Sequence, residues 1–337
     1  MKKYFFLFSL MGVASLFGCS HSEEHAKNEL EEITLSGGME VSTETGSITT
    51  KASSSFPNAG KIGVIAAYNN TNGIDWKTYD DIQNAEATTS SPAADQSYAF
   101  DWAIPHYWPC DDCELVFLAY SPVAADGSAV SLNTDHTRLE LTLQNTNMPD
   151  VLYASANKTQ KSYKKTDKTT VALGEFRHAL SQVKVVITGE NLNDHIKVKS
   201  LTLETPSKAT FNLLTDQLDL SNEVIKYTLI DKEISFKDAV AKQDMNVYVY
   251  PRTESASTVS ITLIDGIAGE VKMDFKVNKF KIPNVTPETG VTCERAKVAV
   301  LTIHVVGKNI NNPETSINLQ GQLKGWIDMG EYGTTIN

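Results

Sequence analysis

The chain has 337 residues, 41% of them hydrophobic and 21% charged, with 30 Lys and Arg against 41 Asp and Glu for a formal net charge of −11. An acidic balance of that size argues against nucleic acid or an anionic membrane surface as a partner, because like charges repel. The length suits two domains of about 150 residues each better than one all-β core.

Met1, Lys2 and Lys3 make a positively charged tip, and Tyr4 to Phe17 is an apolar run without a charge. At about 14 residues the run is shorter than the roughly 20 that a membrane-spanning helix needs. Residues 1–18 therefore read as a secretory signal and not as a fold element. The ending Leu16-Phe17-Gly18-Cys19 resembles a bacterial lipobox. That resemblance implies cleavage by signal peptidase between Gly18 and Cys19, acylation of the Cys19 thiol and anchoring of the new terminus by lipid. Ser20 to His25 opens a polar, mostly acidic tether, residues 19–32, with nothing to bury, so it is expected to be disordered. An acidic stretch directly behind the lipidated cysteine is similar to the export signal of surface lipoproteins of Bacteroidetes type, which implies the outer face of the outer membrane.

From Ile33 onward the chain alternates short runs rich in Val, Ile, Thr and aromatics with Gly, Pro, Asn and Asp, the pattern of strands and turns. In the first half this predicts strands at Ile33 to Leu35, Ile62 to Tyr68, Leu115 to Tyr120, Ala129 to Leu132, Leu139 to Leu143 and Val171 to Phe176. The second half predicts Val183 to Thr188, Val198 to Glu204, Asn246 to Tyr250, Val259 to Leu263, Val271 to Val277, Val298 to Val306 and Leu319 to Ile327. Val271, Met273, Phe275 and Val277 alternate with Lys272, Asp274 and Lys276, a period of two that marks one buried sheet face. No helical stripe competes and no crossover helices are evident, so the fold class is all-β, with antiparallel sandwiches in place of a parallel sheet. Two polar stretches interrupt the pattern. Asn69 to Ala99 reads as an insertion-like surface loop, and Asn157 to Thr170, with Lys158, Lys161, Lys164, Lys165 and Lys168, as a solvated hairpin tip near the domain junction.

Cys110 and Cys113 form a C-x-x-C motif and Cys293 stands alone. A thioredoxin-type site would open a helix after a strand. Here Pro109 precedes the motif and the strand-like Leu115 to Tyr120 follows it. A zinc site could add His106, yet three ligands within eight residues and no second pair is thin for tetrahedral closure. The motif reads as either a local loop disulfide or two unpaired thiols, no metal is expected, and Cys293 reads as a small buried hydrophobe.

Catalytic signatures are missing: the sequence contains no G-x-S-x-G elbow, H-E-x-x-H or Walker-type glycine loop. His178 and His304 fall in strand-like runs where a satisfied packing position is the ordinary role. Asp111 and Asp112 are neighbours on a loop and cannot face each other across a sugar. No enzyme activity and no cofactor are expected. Trp76, Trp102 and Trp108 could stack on sugar rings if exposed, which keeps open a monomeric surface lipoprotein that binds glycan or protein, although Trp108 reads as core.

Three stretches carry a resemblance. The first is Lys61-Ile62-Gly63-Val64 after a Ser/Thr-rich segment, then Tyr107-Trp108-Pro109 leading into Leu115 to Tyr120 and Ser121-Pro122. The second is Pro149-Asp150-Val151-Leu152-Tyr153-Ala154, followed by Phe176-Arg177-His178-Ala179-Leu180-Ser181-Gln182-Val183. The third is Tyr248-Val249-Tyr250-Pro251 with the closing Gly325-Trp326. In their order and spacing they resemble the fimbrillin family, the pilins of the type V pilus, from about Ile33 to the C-terminus. The resemblance implies two tandem transthyretin-like β-sandwich domains, here residues 33–177 and 178–337. It also implies a non-enzymatic role in a fimbrium: other fimbrial subunits as partners, a host or bacterial surface ligand, and assembly by strand exchange. The removable first strand would be residues 33–41 and the linker residues 42–55, where Lys51 is the sole Lys or Arg. Cleavage would then fall between Lys51 and Ala52. The family usually offers Arg at this cut and the chain has no Arg before Arg138, so two assignments stay open: a shaft or tip subunit cut after Lys51, or an uncut lipidated anchor subunit. The donor candidate is residues 319–337, with a plain final strand of its own domain as the alternative.

Overall fold

The computed structural model describes residues 30–40, 56–76, 79–90, 97–144, 148–190, 192, 195–242, 245–251, 257–265, 269–282, 290–306 and 316–325. Gly18, Cys19, Lys51, Ala52, the acidic tether up to residue 29 and the tail after Gly325 lie outside these residues.

The first half contributes β1 (Leu35–Met39), β2 (Lys61–Asn70), β3 (Gly73–Asp75), β4 (Gln83–Thr89), β5 (Ser97–Trp102), β6 (Leu115–Ser121), β7 (Val130–Leu132), β8 (Arg138–Thr142), β9 (Leu152–Ala154), β10 (Ser162–Tyr163) and β11 (Val171–His178). The second half contributes β12 (Ser181–Glu190), β13 (Ile196–Pro206), β14 (Lys208–Asn212), β15 (Leu218–Leu220), β16 (Val224–Ile230), β17 (Ile234–Ser235), the short helix α1 (Phe236–Ala241), β18 (Asn246–Val249), β19 (Thr258–Asp265), β20 (Gly269–Lys276), β21 (Lys297–Val306) and β22 (Ser316–Gly325). The chain is all-β in class, as its residue pattern predicts.

A nine-stranded sheet runs β10-β6-β9-β11-β1-β5-β4-β2-β3, and β6 also pairs with β2. Pairing therefore travels around the ring β6-β9-β11-β1-β5-β4-β2 and returns to β6, so the two sheets expected of a sandwich are joined along their edges. Inside the ring lies a core of Ile33, Leu35, Phe56, Ile62, Val64, Leu115, Phe117, Val171 and Phe176. A second core uses the other face of the same strands, Ile65 and Ala67 on β2 with Val116, Leu118 and Tyr120 on β6, and continues into the second half. With both faces covered, β6 is buried at every residue, which is why Leu115 to Tyr120 reads as a continuous apolar run and not as an alternation.

The second half forms a sheet β18-β12-β21-β22 and a sheet β16-β13-β19-β20. A further sheet, β15-β14-β8-β7, draws strands from both sides of residue 177, so the halves are bound by backbone pairing as well as by the shared core. Tyr250 crosses the same region, its hydroxyl donating to the Leu141 carbonyl at 2.9 Å and the Ser207 carbonyl at 3.2 Å. Arg295 lies over the rings of Tyr153 and Phe211 and donates to the Asp216 carbonyl at 2.8 Å, while Lys158 pairs with the Asp216 carboxylate at 2.7 Å.

Three expectations are corrected. The pairing is not wholly antiparallel: β1 runs parallel to β11 and β12 parallel to β21. The stretch from Asn69 to Ala99 is not a surface insertion, since it supplies β3, β4 and the start of β5 and buries Trp76, Tyr79, Ile82, Ala87 and Tyr98. Its strand β4 reads as polar because only small residues face the core there. Asn84 is spent on hydrogen bonds, its amide donating to the Ala124 carbonyl at 2.8 Å and its oxygen accepting from the Tyr120 hydroxyl. The stretch from Asn157 to Thr170 is only in part a solvated tip: residues 166–170 are exposed, while Asn157 and Tyr163 are buried. Asn157 is 1% exposed and acts as a strand partner for β6, accepting the Ala119 N–H at 3.0 Å and donating to the Ala119 carbonyl at 3.1 Å. Three of its lysines are paired: Lys158 with Asp216 at 2.7 Å, Lys165 with Asp111 at 2.8 Å and Lys164 with Glu114 at 2.9 Å. The hydrogen bond and charge of each lower the Glu114 carboxyl and raise the Lys164 amine.

Candidate functional site

The features of most consequence converge on β1, the described part of the expected removable strand. Leu35 is 2% exposed and sits opposite Phe100 on β5 and Val171 on β11. Ile33, just before the strand, is fully buried. Alternate residues Thr34 and Ser36 face outward, next to the exposed Ala99 and Ala172. The core side is aromatic: Phe56 packs edge-on against Tyr98 at 5.4 Å, Phe100 at 5.8 Å and Phe176 at 5.1 Å between ring centroids.

Backbone bonds hold the segment along its length. Ile33 N–H donates to the His106 carbonyl at 2.8 Å, Trp108 N–H to the Glu31 carbonyl at 3.0 Å, Val171 N–H to the Thr34 carbonyl at 2.8 Å and Glu40 N–H to the Phe176 carbonyl at 3.0 Å. The Trp102 indole N–H adds a bond to the Ile33 carbonyl at 2.6 Å. None of these partners belongs to a hairpin with β1. The strand is a stave set between two edges that the rest of the chain supplies.

The crowding at Gly37 is specific. A Cβ there would lie 2.9 Å from the Gly174 carbonyl oxygen, 3.1 Å from Phe100 and 3.3 Å from Phe176. Register between β1 and β11 shifts between Ser36 and Gly38, so a bulge in β11 at Gly174, whose φ is +78, pushes its carbonyl toward β1. Only glycine fits under it.

The rim of the groove is the segment His106 to Trp108. His106 Nδ1 lies 3.0 Å from the Asp81 carboxylate and its ring meets Trp102 edge-on at 4.7 Å. Cys110 and Cys113, directly beyond Pro109, are joined by a disulfide with Cα atoms 5.3 Å apart. Tyr79, raised in pKa first by burial and then by Asp81, donates to the Tyr107 carbonyl at 3.2 Å.

The donor candidate is β22, which pairs antiparallel with β21 from Val298↔Lys324 to Val305↔Ile317 and stands at the edge of its sheet. Within the described residues it is the last strand of its own sheet. Ile317, Leu319 and Leu323 pack against the shared core, and a Cβ on Gly321 would collide with Val291 and approach the Phe280 carbonyl oxygen to 3.0 Å.

Other candidate residues do not gather. Trp76 is buried in the shared core and Trp108 in the ring core, while Trp102 is partly buried with its indole N–H engaged; the three form no stacking platform. His178 is buried with Nδ1 2.8 Å from the Asp150 carboxylate, and His304 Nδ1 lies 2.9 Å from the Thr188 hydroxyl. Among the described residues no group of three His, Cys, Asp or Glu side chains could hold a metal ion. Phe56, Tyr98 and Gly174 line the groove without standing out in the sequence. The available signal was the aromatic pair two residues apart at Tyr98 and Phe100.

Cys293 is 6% exposed in the shared core, and burial pushes its thiol up to about 12. The thiolate is the reactive form, so at pH 8 the folded protein is expected to resist iodoacetamide at Cys293 and to react once unfolded. Peptide mass mapping before and after denaturation checks this; rapid labelling of the folded protein would contradict it.

In fold the chain is similar to several solved structures. A fimbrial protein from Bacteroides vulgatus is 18% identical, with 87% of this chain and 99% of that one covered at a TM-score of 0.52. A candidate cell adhesion protein from Bacteroides uniformis is 16% identical, covering 88% and 98% at 0.52, and one from Bacteroides ovatus is 13% identical, covering 89% and 99% at 0.50. At such identities the likeness is one of fold. The sequence has no match among curated proteins. The chain belongs to the fimbrillin-like family, whose model matches residues 49–319.

Proposed function

We propose that this protein is a non-enzymatic structural subunit of a cell-surface fimbria. It is exported as a lipoprotein with its lipid on Cys19 in the outer membrane and matured by a cut between Lys51 and Ala52. It then joins neighbouring subunits by exchanging its first strand for a strand of the next copy, in the service of adhesion to a host or bacterial surface. Family membership supports the fimbrial role. The single observation that carries the exchange reading is the place of β1 in the ring: it has no hairpin to either neighbour, so its loss leaves two facing sheet edges and an aromatic floor. Unpaired edges and exposed apolar surface are costly together, and one incoming strand relieves both.

The test is the N-terminus of the protein taken from its native surface, read by intact mass and terminal-peptide mapping. A start at Ala52 is expected for an assembling shaft or tip subunit. A start at acylated Cys19 in every molecule would sink the cut-subunit reading and leave the uncut anchor subunit, the alternative kept open because residues 42–55 contain no Arg. A chain that also stayed monomeric would point to a solitary surface binder of glycan or protein.

A further inference from the structure

One sheet edge in the second half carries a charge pattern that is its own complement. β20 closes the sheet β16-β13-β19-β20, and among the described residues it pairs with β19 alone. Glu270, Lys272, Asp274 and Lys276 are exposed, while Val271, Met273 and Phe275 alternate with them and are half-buried; Met273 and Phe275 pack against the shared core. Across the ladder β19 offers these charges no counterpart: Glu270 stands opposite Ile264, Lys272 opposite Thr262, Asp274 opposite Ser260 and Lys276 opposite Thr258. Within the chain Lys272 and Asp274 approach only to 3.4 Å, each with more than half of its side chain exposed, and Lys276 donates to the Thr258 hydroxyl at 2.8 Å. Glu270 meets Lys199 with both side chains about half exposed. Exposed contacts of this kind hold a side chain weakly, so the four charges are available to a partner.

We propose that two copies of this chain join side by side through β20, paired antiparallel about a two-fold axis at Met273, so that the sheet continues from one copy into the other. The contact uses a different edge from strand exchange and depends on neither cleavage nor exchange. In this register Lys272 faces the second copy's Asp274 and Glu270 faces its Lys276, and symmetry repeats each contact, so all four charges on either strand meet an opposite charge. On the other face Val271 meets Phe275 and Met273 meets its own copy, covering apolar surface that one chain leaves partly open. Charge selects the register. With the axis at Lys272, that residue faces itself and Glu270 faces Asp274; with the axis at Asp274, that residue faces itself and Lys272 faces Lys276. Every charged pair in either alternative is of like sign, which destabilises a strand pair. A slip by one residue sets charges against apolar side chains. An unpaired edge is a template for a further strand, and a self-complementary patch closes as a two-fold dimer. The opposite edge of the same sheet, β16, carries Lys226 as its one charged residue, and self-pairing there gains no opposite charge. Charges of one sign would guard an edge against a second copy; alternating signs centred on Met273 invite it.

The test is self-crosslinking of the full chain on its native cell. Met273→Cys is compared with Val271→Cys after mild oxidation, and the joined peptides are identified by mass spectrometry. Residues directly opposite each other in an antiparallel pair have Cα atoms about 4.5–5.5 Å apart, inside the span of a disulfide. Two copies of position 271 would lie about 13 Å apart, four residues along the strand. Met273→Cys is therefore expected to bridge to itself at roughly ten times the yield of Val271→Cys or more. Adding Lys272→Asp to the Met273→Cys chain turns two attractive pairs into repulsive ones and should lower the yield by roughly tenfold. Adding Asp274→Lys as well restores complementarity and should restore the bridge, a recovery that a folding defect would not show. Because Met273 packs partly on the core, the exposed positions give an independent reading: Lys272→Cys co-expressed with Asp274→Cys should bridge to one another in excess of either to itself. Equal bridging at positions 271 and 273, together with no excess for the 272–274 pair, would overturn the pairing. A position-273 bridge that ignores Lys272→Asp would overturn the assignment of recognition to charge, and bridging to a different surface protein would overturn a second copy as the occupant. None of these failures touches the fimbrial reading, which the N-terminus tests separately.

Discussion

Phe176→Ala is expected to cost about 3–5 kcal/mol of folding stability. Phe176 is fully buried and its ring lies 5.1 Å from Phe56 and 5.7 Å from Phe100. It also stands opposite Met39 at the end of β1. Truncation therefore removes the transfer free energy of the ring and opens a cavity bounded by two other aromatics that cannot collapse into it without leaving their own contacts. Phe275→Ala is the control. Phe275 on β20 is only half-buried against the shared core, and among the described residues its one ring contact is Phe280, at 6.4 Å, so its loss should be markedly smaller. Urea denaturation followed by tryptophan fluorescence reads both. A loss below about 1 kcal/mol for Phe176→Ala would mean that the aromatic floor does not anchor the groove.

Much of this site was legible in the sequence because its residues obey local rules. The alternation at Leu319 to Ile327 and the uninterrupted run at Leu115 to Tyr120 both report burial, on one face and on two. Asn69 to Ala99 was illegible for a physical reason: strands inside a ring are held by backbone pairing on both sides, so β4 needs no large side chains and its polar residues look like loop. Asn157 was hidden in the same way, since a buried amide that stands in for a strand partner has the composition of a turn. The parallel pairing of β1 with β11 could not be read from either segment, because register and direction lie in contacts made across more than a hundred residues.

A cut after Lys51 should not by itself release the first strand. Ile33 and Leu35 are 0% and 2% exposed, and an aliphatic side chain of that size contributes about 1.5–3 kcal/mol when fully buried. The backbone bonds to His106, Trp108, Val171 and Phe176, each worth about 1 kcal/mol net, add to that. The severed segment is therefore expected to stay bound under native conditions and to separate only on denaturation or in the presence of a competing strand. Leu35→Ala removes one of the two buried anchors at a cost of about 2–5 kcal/mol, of which the part felt by the bound segment should loosen it by about 30-fold or more. Native against denaturing mass spectrometry of the cut protein, followed over time, reads both effects. Immediate loss of the unsubstituted segment would mean that the groove is held open by the rest of the ring and does not depend on β1 to fill it. Retention of the Leu35→Ala segment as tightly as the original would place the grip in the backbone pairing alone.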